Sequence, residues 1–225
     1  MAGIMAALVA VSSLSAGVIE SYDPDGMPGD FDPNDGTHFD NSGSFFDLMA
    51  INKVNITAFD VFSNTTEGEE DYSFSIYYRL GTYEGFQTNS AGWMLLQSFT
   101  GPNAPDDINH LTLTTPFMIN PGQTIGFLVA SEGGFQWYDS DKGQNVNDGN
   151  LNYTVHPSSN TSPTLANGYK DAFGPFDSEA NYDAFISFAG RIYYDTPVAA
   201  VPEGGAALGL LSIGLMGLFG FRRIR

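Results

Sequence analysis

Between Val18 and Val201 no apolar run repeats with the spacing of a long amphipathic helix. Short runs recur instead between clusters of turn residues, and Tyr72, Phe74, Ile76 and Tyr78 fall on every second position. A period of two belongs to a pleated strand with one face buried. The pattern predicts strands at Ser44–Ala50, Val54–Ser63, Tyr72–Arg79, Trp93–Phe99, Asn109–Phe117, Thr124–Ala130, Phe135–Tyr138, Leu151–Val155 and Phe185–Asp195. Many short strands, few helix formers and abundant Gly and Asn predict an all-β, antiparallel, two-sheet, jelly-roll-like sandwich. Its expected core is Phe46, Leu48, Ile56, Phe59, Phe74, Ile76, Trp93, Leu95, Leu111, Leu113, Ile125, Phe127, Val129, Ile186 and Ile192.

Two local features sharpen that reading. In Val54–Val61 the apolar positions change phase, with Val54, Ile56 and Ala58 followed by Phe59 and Val61, so a bulge or a strand covered on both faces is expected. Asn120-Pro121-Gly122-Gln123 fits a type II turn, in which Pro sets φ and Gly takes the positive φ.

A sandwich in this chain has no covalent help. Cysteine is absent, which removes disulfides, thiolate metal sites and cysteine nucleophiles. The formal charge is −18, from 26 acids against 8 Lys plus Arg. Three of those bases, Arg222, Arg223 and Arg225, lie at the end of the chain. The body before Val201 keeps 25 acids against 5 bases. Such a surface repels nucleic-acid phosphates and suits divalent cations, basic surfaces or simple solubility.

Both ends of the chain differ from its middle. Residues 1–17, MAGIMAALVAVSSLSAG, form an apolar run closing in small residues, as in a signal peptide for Sec export, with cleavage expected after Ser15, Ala16 or Gly17. No Lys or Arg precedes the run, and a buried strand or helix is the alternative. Residues 18–43 read as an acidic Gly/Pro/Asp-rich linker or a first strand, 44–196 as the sandwich domain and 197–225 as a separate tail. In that tail Val201-Pro202-Glu203-Gly204-Gly205 leads into an uncharged stretch, 206–221, and then Arg222-Arg223-Ile224-Arg225. As one hydrophobic helix, 206–221 would span about 24 Å, slightly under a hydrocarbon core. Its glycines weaken a soluble helix but are tolerated in lipid, and the arginines keep the end cytoplasmic.

The order Pro-Glu, small-residue apolar helix, terminal arginines resembles the PEP-CTERM sorting signal of exported proteins in exopolysaccharide-producing Gram-negative bacteria. The matching positions are Val201, Pro202, Glu203, Arg222 and Arg223, and Gly204 departs from the commoner second proline. The resemblance implies an inner-membrane-anchored precursor, recognition by an exosortase and delivery to the cell surface or extracellular matrix. An ordinary unprocessed membrane anchor is the alternative. Residues 54–130, with VNITAFDV, the Tyr77-Tyr78-Arg79-x-Gly81-x-Tyr83-x-Gly85 string, Trp93 and PGQTIGFLV, resemble a β-sandwich domain common among PEP-CTERM and other secreted bacterial proteins. That likeness implies fold and address and assigns no active site.

Three segments carry side chains suited to chemistry. Asp23, Asp25, Asp30, Asp32 and Asn34 place oxygen ligands at alternating positions, as calcium loops do, although the EF-hand register fails. Asp139, Asp141 and Asn145 form a second candidate calcium loop. A solvated linker and a plain hairpin loop are the respective alternatives. Tyr77, Arg79, Tyr83, Glu84 and Trp93 combine flat apolar faces with polar tips, as carbohydrate binding requires, or else fill the sandwich from within. His38, His110 and His156 are far apart in sequence, with no H-E-x-x-H or G-x-S-x-G pattern, so no catalytic residue is assigned. The expected function is a non-enzymatic structural or adhesive surface protein in a biofilm matrix. The alternatives are a lectin-like module assisted by calcium and, third, a glycan-processing hydrolase.

Overall fold

The computed structural model describes residues 14–21, 42–62, 72–102, 108–131, 137–139, 145–155, 168–170, 175–176, 181–183, 186–188 and 190–197. The folded body is Ser15–Thr196; of the second unit, Met1–Leu14 with Pro197–Arg225, only Leu14 and Pro197 are described. Among the described residues every regular element is a strand. In chain order they are β1 (Leu14–Glu20), β2 (Ser42–Ala50), β3 (Val54–Phe62), β4 (Tyr72–Leu80), β5 (Met94–Gly101), β6 (Ile108–Ile119) and β7 (Thr124–Ser131). Shorter strands follow: β8 (Trp137–Asp139), β9 (Val146–Asn147), β10 (Leu151–Thr154), β11 (Gly168–Lys170), β12 (Asn181–Asp183) and β13 (Ile186–Phe188), closed by β14 (Gly190–Pro197).

The strands form a four-stranded sheet, β1-β14-β3-β6, and a larger one, β12-β11-β2-β7-β4-β5, with β10 also on β2 and β9 on β10. A separate pair joins β8 and β13. The long pairings, β2 with β7, β4 with β5 and β7, and β3 with β6 and β14, are all antiparallel. Side chains from both large sheets share one core, with Ile19, Ile56 and Phe59 from the first meeting Phe46, Ile76 and Phe127 from the second. Phe46 sits at its centre, with ring centroids 5.7 Å from Phe127, 5.3 Å from Tyr153 and 4.8 Å from Phe188.

The phase change in β3 is a bulge. Against β14, Ile56 and Ala58 oppose the consecutive residues Tyr194 and Tyr193, so Thr57 is the extra residue. That insertion returns Phe59 and Val61 to the core that Val54 and Ile56 already enter. The turn after β6 closes as expected: Gln123 N donates to Asn120 O at 3.0 Å, and Gly122 has φ +76°.

Some expectations shift. The strand expected at Phe185–Asp195 is divided into β13 and β14, β9, β11 and β12 were not anticipated, and β1 straddles the two segments for which a strand was one of the alternatives. β1 takes in the last residues of the apolar run read as a signal peptide, and Gly17 lies so close to Tyr194 that a Cβ there would overlap its ring. The residues of β1 and its end that hold the fold are Ile19, fully buried, and Ser21, whose hydroxyl donates to Phe188 O at 2.7 Å and accepts from Gly190 N at 3.0 Å. Both lie beyond each expected cleavage point, so the strand's anchor survives any of them. Leu95 is a correction: it is 54% exposed rather than core, because a bulge at Leu96 and the border position of β5 open it to solvent.

The borders of the two sheets are tied by one side chain. Gln97 on β5 accepts from Thr114 N at 2.9 Å and donates to Thr112 O at 3.5 Å, so its amide serves β6 as a neighbouring backbone would. Gln97→Leu is expected to cost about 1 kcal/mol, the net value of a hydrogen-bonded amide that water can partly replace. A lowered urea midpoint with unchanged slope is the expected reading.

Candidate functional site

The aromatic segment after β4 folds back as an arm, residues 81–93, over the outer face of the larger sheet. The sequence of that face shows why. On β2, β7 and β4 the register sets Phe45, Leu128 and Tyr77 in one row and Asp47, Gly126 and Arg79 in the next. The arm needs a gap to lie flat, and Gly126 provides it: a Cβ there would stand 2.8 Å from Tyr83 N and 3.1 Å from Arg79 Cγ. Gly126 N donates to Gly81 O at 2.7 Å, and Gly81 N donates to Thr124 O at 3.0 Å.

Asp47, only 8% exposed, fixes the arm from below. Its carboxylate accepts from Thr82 Oγ1 at 2.6 Å and from Tyr83 N at 2.9 Å. Tyr83 stacks on Phe45 at 5.8 Å, Trp93 tilts against the same ring at 5.8 Å, and its indole Nε1 donates to Phe86 O at 2.9 Å. The Arg79 guanidinium carbon lies 3.5 Å over the Phe86 ring. Burial lowers the Arg79 pKa from its usual value, and the charge of Asp47 works in the opposite direction. Phe45, Tyr83, Trp93, Leu128 and Ala130 thus make a second core outside the sandwich.

This geometry sorts the carbohydrate candidates. Tyr83 is fully buried, while Trp93 and Arg79 are each 9% exposed, so these three hold the arm down and have no free face for a sugar. Tyr77 and Glu84 are half-buried, and Tyr77 with Phe86 and Phe176 forms an aromatic rim packed against this second core. Phe176 packs on Trp93 at 5.4 Å and edge-on to Tyr77 at 5.8 Å, with φ at 69°. A bulky residue in that left-handed region costs about 1–3 kcal/mol and persists only where packing holds it.

Sequence spacing gave no hint of a second constellation, on the outer side of the four-stranded sheet. Asp60 on β3, 4% exposed, is directly opposite His110 on β6 and Arg191 on β14. His110 Nδ1 is 2.6 Å from Asp60 Oδ1, Tyr193 OH donates to Oδ2 at 2.6 Å, and Arg191 Nη1 lies 3.4 Å from Oδ2. Arg191 Nε also reaches Glu20 at 2.9 Å. The row Glu20–Arg191–Asp60–His110 therefore crosses all four strands and ties them. The one clue in the sequence was a lone carboxylate inside an apolar strand, and Asp47 gives the same clue in β2.

A third tyrosine cluster sets the behaviour in alkali. Tyr194, 2% exposed, donates to Asp148, a residue whose other oxygen accepts from Asn150 N and Leu151 N at 2.9 Å each. Burial, with the Asp148 hydrogen bond adding to it, pushes the Tyr194 pKa up to about 12. Burial also raises Tyr153 and Tyr193. A phenol whose folded pKa exceeds its unfolded value keeps its proton longer when folded, so stability is lost as pH rises from about 10 towards 12. Tyr194→Phe should flatten that decline by about 2 kcal/mol, measured as urea midpoints against pH.

Of the calcium candidates, Asn145 is described: its amide oxygen accepts from Val155 N at 2.9 Å, the work of a loop cap. Asp139 lies in β8 by its backbone, and its side chain is outside the described residues. Asp23, Asp25, Asp30, Asp32, Asn34 and Asp141 are outside them too, as are the sorting positions Val201, Pro202, Glu203, Arg222 and Arg223. Among the described residues no three His, Asp or Glu side chains are grouped to hold a metal ion, and no helix is long and apolar enough to cross a membrane. Comparison of the chain with family models and with curated proteins gave no match.

Proposed function

We propose that this chain is an exported, non-enzymatic protein of the cell surface or extracellular matrix, with a jelly-roll-like body and a PEP-CTERM-like tail read by an exosortase. Its role is structural or adhesive within an exopolysaccharide matrix. The observation that carries the reading is the tail: Pro202-Glu203, an uncharged 206–221 and Arg222-Arg223 follow a body in which acids outnumber bases by 25 to 5. The test is fractionation of the host with and without its exosortase. The protein should reach the outer surface or medium only when the enzyme is present. The same distribution in both strains would defeat the proposal.

The half-buried aromatic rim of Tyr77, Phe86 and Phe176 favours a second reading, a carbohydrate-binding module. A glycan array with and without chelator tests it. Selective binding lost in Tyr77→Ala supports it, chelator sensitivity would bring in calcium, and an unselective or blank array removes it.

A further inference from the structure

The strand register gives the sandwich two ends of different chemistry. At one end β2, β4 and β6 finish while β3, β5 and β7 begin, joined by residues 51–53, 81–93 and 120–123. The β9–β10 turn, 148–150, lies there too, with Ile51 N donating to Asn150 O at 2.8 Å. These four segments carry one base, Lys53, and two acids, Glu84 and Asp148. At the other end β1, β3 and β5 finish while β2, β4 and β6 begin. The connecting segments 22–41, 63–71 and 102–107 carry six, four and two acids and no Lys or Arg. Much of the net charge of −18 therefore belongs to one end.

Exposed large apolar side chains gather where charge is least. Among the described residues all but Val18 lie at the weakly charged end: Met49 and Ile51 where β2 closes, Leu80 at the close of β4, Met94 and Leu95 opening β5, and Met118 near the close of β6. Leu80 is 62% exposed. Thr196 Oγ1 donates to Ser15 O at 3.2 Å, so β1 opens and β14 closes at this same end, where Asp195 is opposite Asn55. Both apolar segments of the sequence, 1–17 and 206–221, therefore join the body here. Only residues 197–205 separate Thr196 from the second of them, a reach of about 30 Å fully extended. From these features we propose that this end is a lipid-facing surface, which rests in the headgroup layer of the bilayer while the tail anchors the precursor. The inference rests on the reading of the tail as a membrane segment. Ile51, Leu80, Met94 and Met118 lose water there, and exposed Lys53 extends its ammonium to the lipid phosphates. The net charge does not oppose this contact. A nine-residue strand such as β2 sets the two ends about 30 Å apart, several times the screening length of about 8 Å at physiological salt. Once the tail is cut, these side contacts alone remain, so release follows processing.

The absence of cysteine allows single fluorescent probes to be placed in the full chain, at Met118→Cys or, at the other end, at exposed Thr100→Cys. Each labelled chain is floated with phosphatidylcholine vesicles that contain a nitroxide-headgroup lipid. The Met118→Cys probe should be quenched at least threefold more than the Thr100→Cys probe. Adding Ile51→Glu and Leu80→Glu, both at exposed sites, should at least halve the quenching at Met118→Cys. A chain that floats but is quenched equally at both probes, or is unaffected by the two glutamates, overturns the lipid contact and leaves the tail reading standing. Probe shielding that grows with protein concentration, without nitroxide quenching, marks a second copy as the occupant and overturns it too. A chain that does not float removes the tail reading and this inference with it.

Discussion

Gly126→Ala is expected to lift the arm from the sheet and cost about 3 kcal/mol, the upper part of the range for overpacking. The atoms that a Cβ at Gly126 would meet include the Tyr83 backbone N at 2.8 Å and Cα at 3.1 Å, and backbone in register cannot retreat as a side-chain tip can. The change should be visible at Trp93, one of two tryptophans in the chain, through red-shifted emission and faster acrylamide quenching. Far-ultraviolet dichroism should hardly change, because the shared core lies on the other face of the sheet. Asp47→Ala should release the same arm by a different route, removing the acceptor of the Thr82 and Tyr83 bonds without adding any atom. If neither substitution exposes Trp93, the arm is not held as described.

Phe46→Ala should be more damaging still. The side chain is fully buried among Phe127, Tyr153 and Phe188, and large-to-small changes at such sites cost about 3–5 kcal/mol through lost contacts and the cavity left behind. Total stabilities of about 5–15 kcal/mol leave little margin, and no disulfide limits the unfolded chain. Phe45→Ala, one residue earlier, supplies the contrast. Its ring packs on Tyr83 and Trp93 outside the sandwich, so, with Trp137→Phe in both variants to leave Trp93 as the reporter, its loss should perturb emission in the folded protein, whereas Phe46→Ala should alter emission only on unfolding. A pair of variants with the same emission in the folded state would contradict the division into two cores.

These residues also mark how far the sequence could be read. Alternation placed the long strands: Phe74 and Ile76 are buried on one face of β4, and half-buried Tyr72 and Tyr78 pack against the same core. It could not separate the layers of β2, where Phe45 and Phe46 are both fully buried and the pattern is nearly continuous. A strand covered on both faces has no polar side to reveal its orientation. β1 was legible only as an alternative, because its apolar residues also suit an export segment, a local property, whereas its pairing with β14 joins residues about 170 positions away. The Asp60 constellation is of the same kind: His110 and Tyr193 lie 50 and 133 residues from their shared carboxylate. Only strand register brings them together, and register across distant strands is not written in local spacing. The aromatic segment from Tyr77 to Trp93 was legible as chemistry, but which of its aromatics point inward depended on Gly126, a residue far from the motif.

The claim on which the functional account rests is that the tail is an address removed after delivery while the sandwich is the working body. Intact-mass spectrometry of the protein recovered from its native host tests this most directly, because one spectrum reports both termini. The account predicts a chain that begins just after Ser15, Ala16 or Gly17 and ends near Pro202. A mass that retains every residue through Arg225 would contradict it.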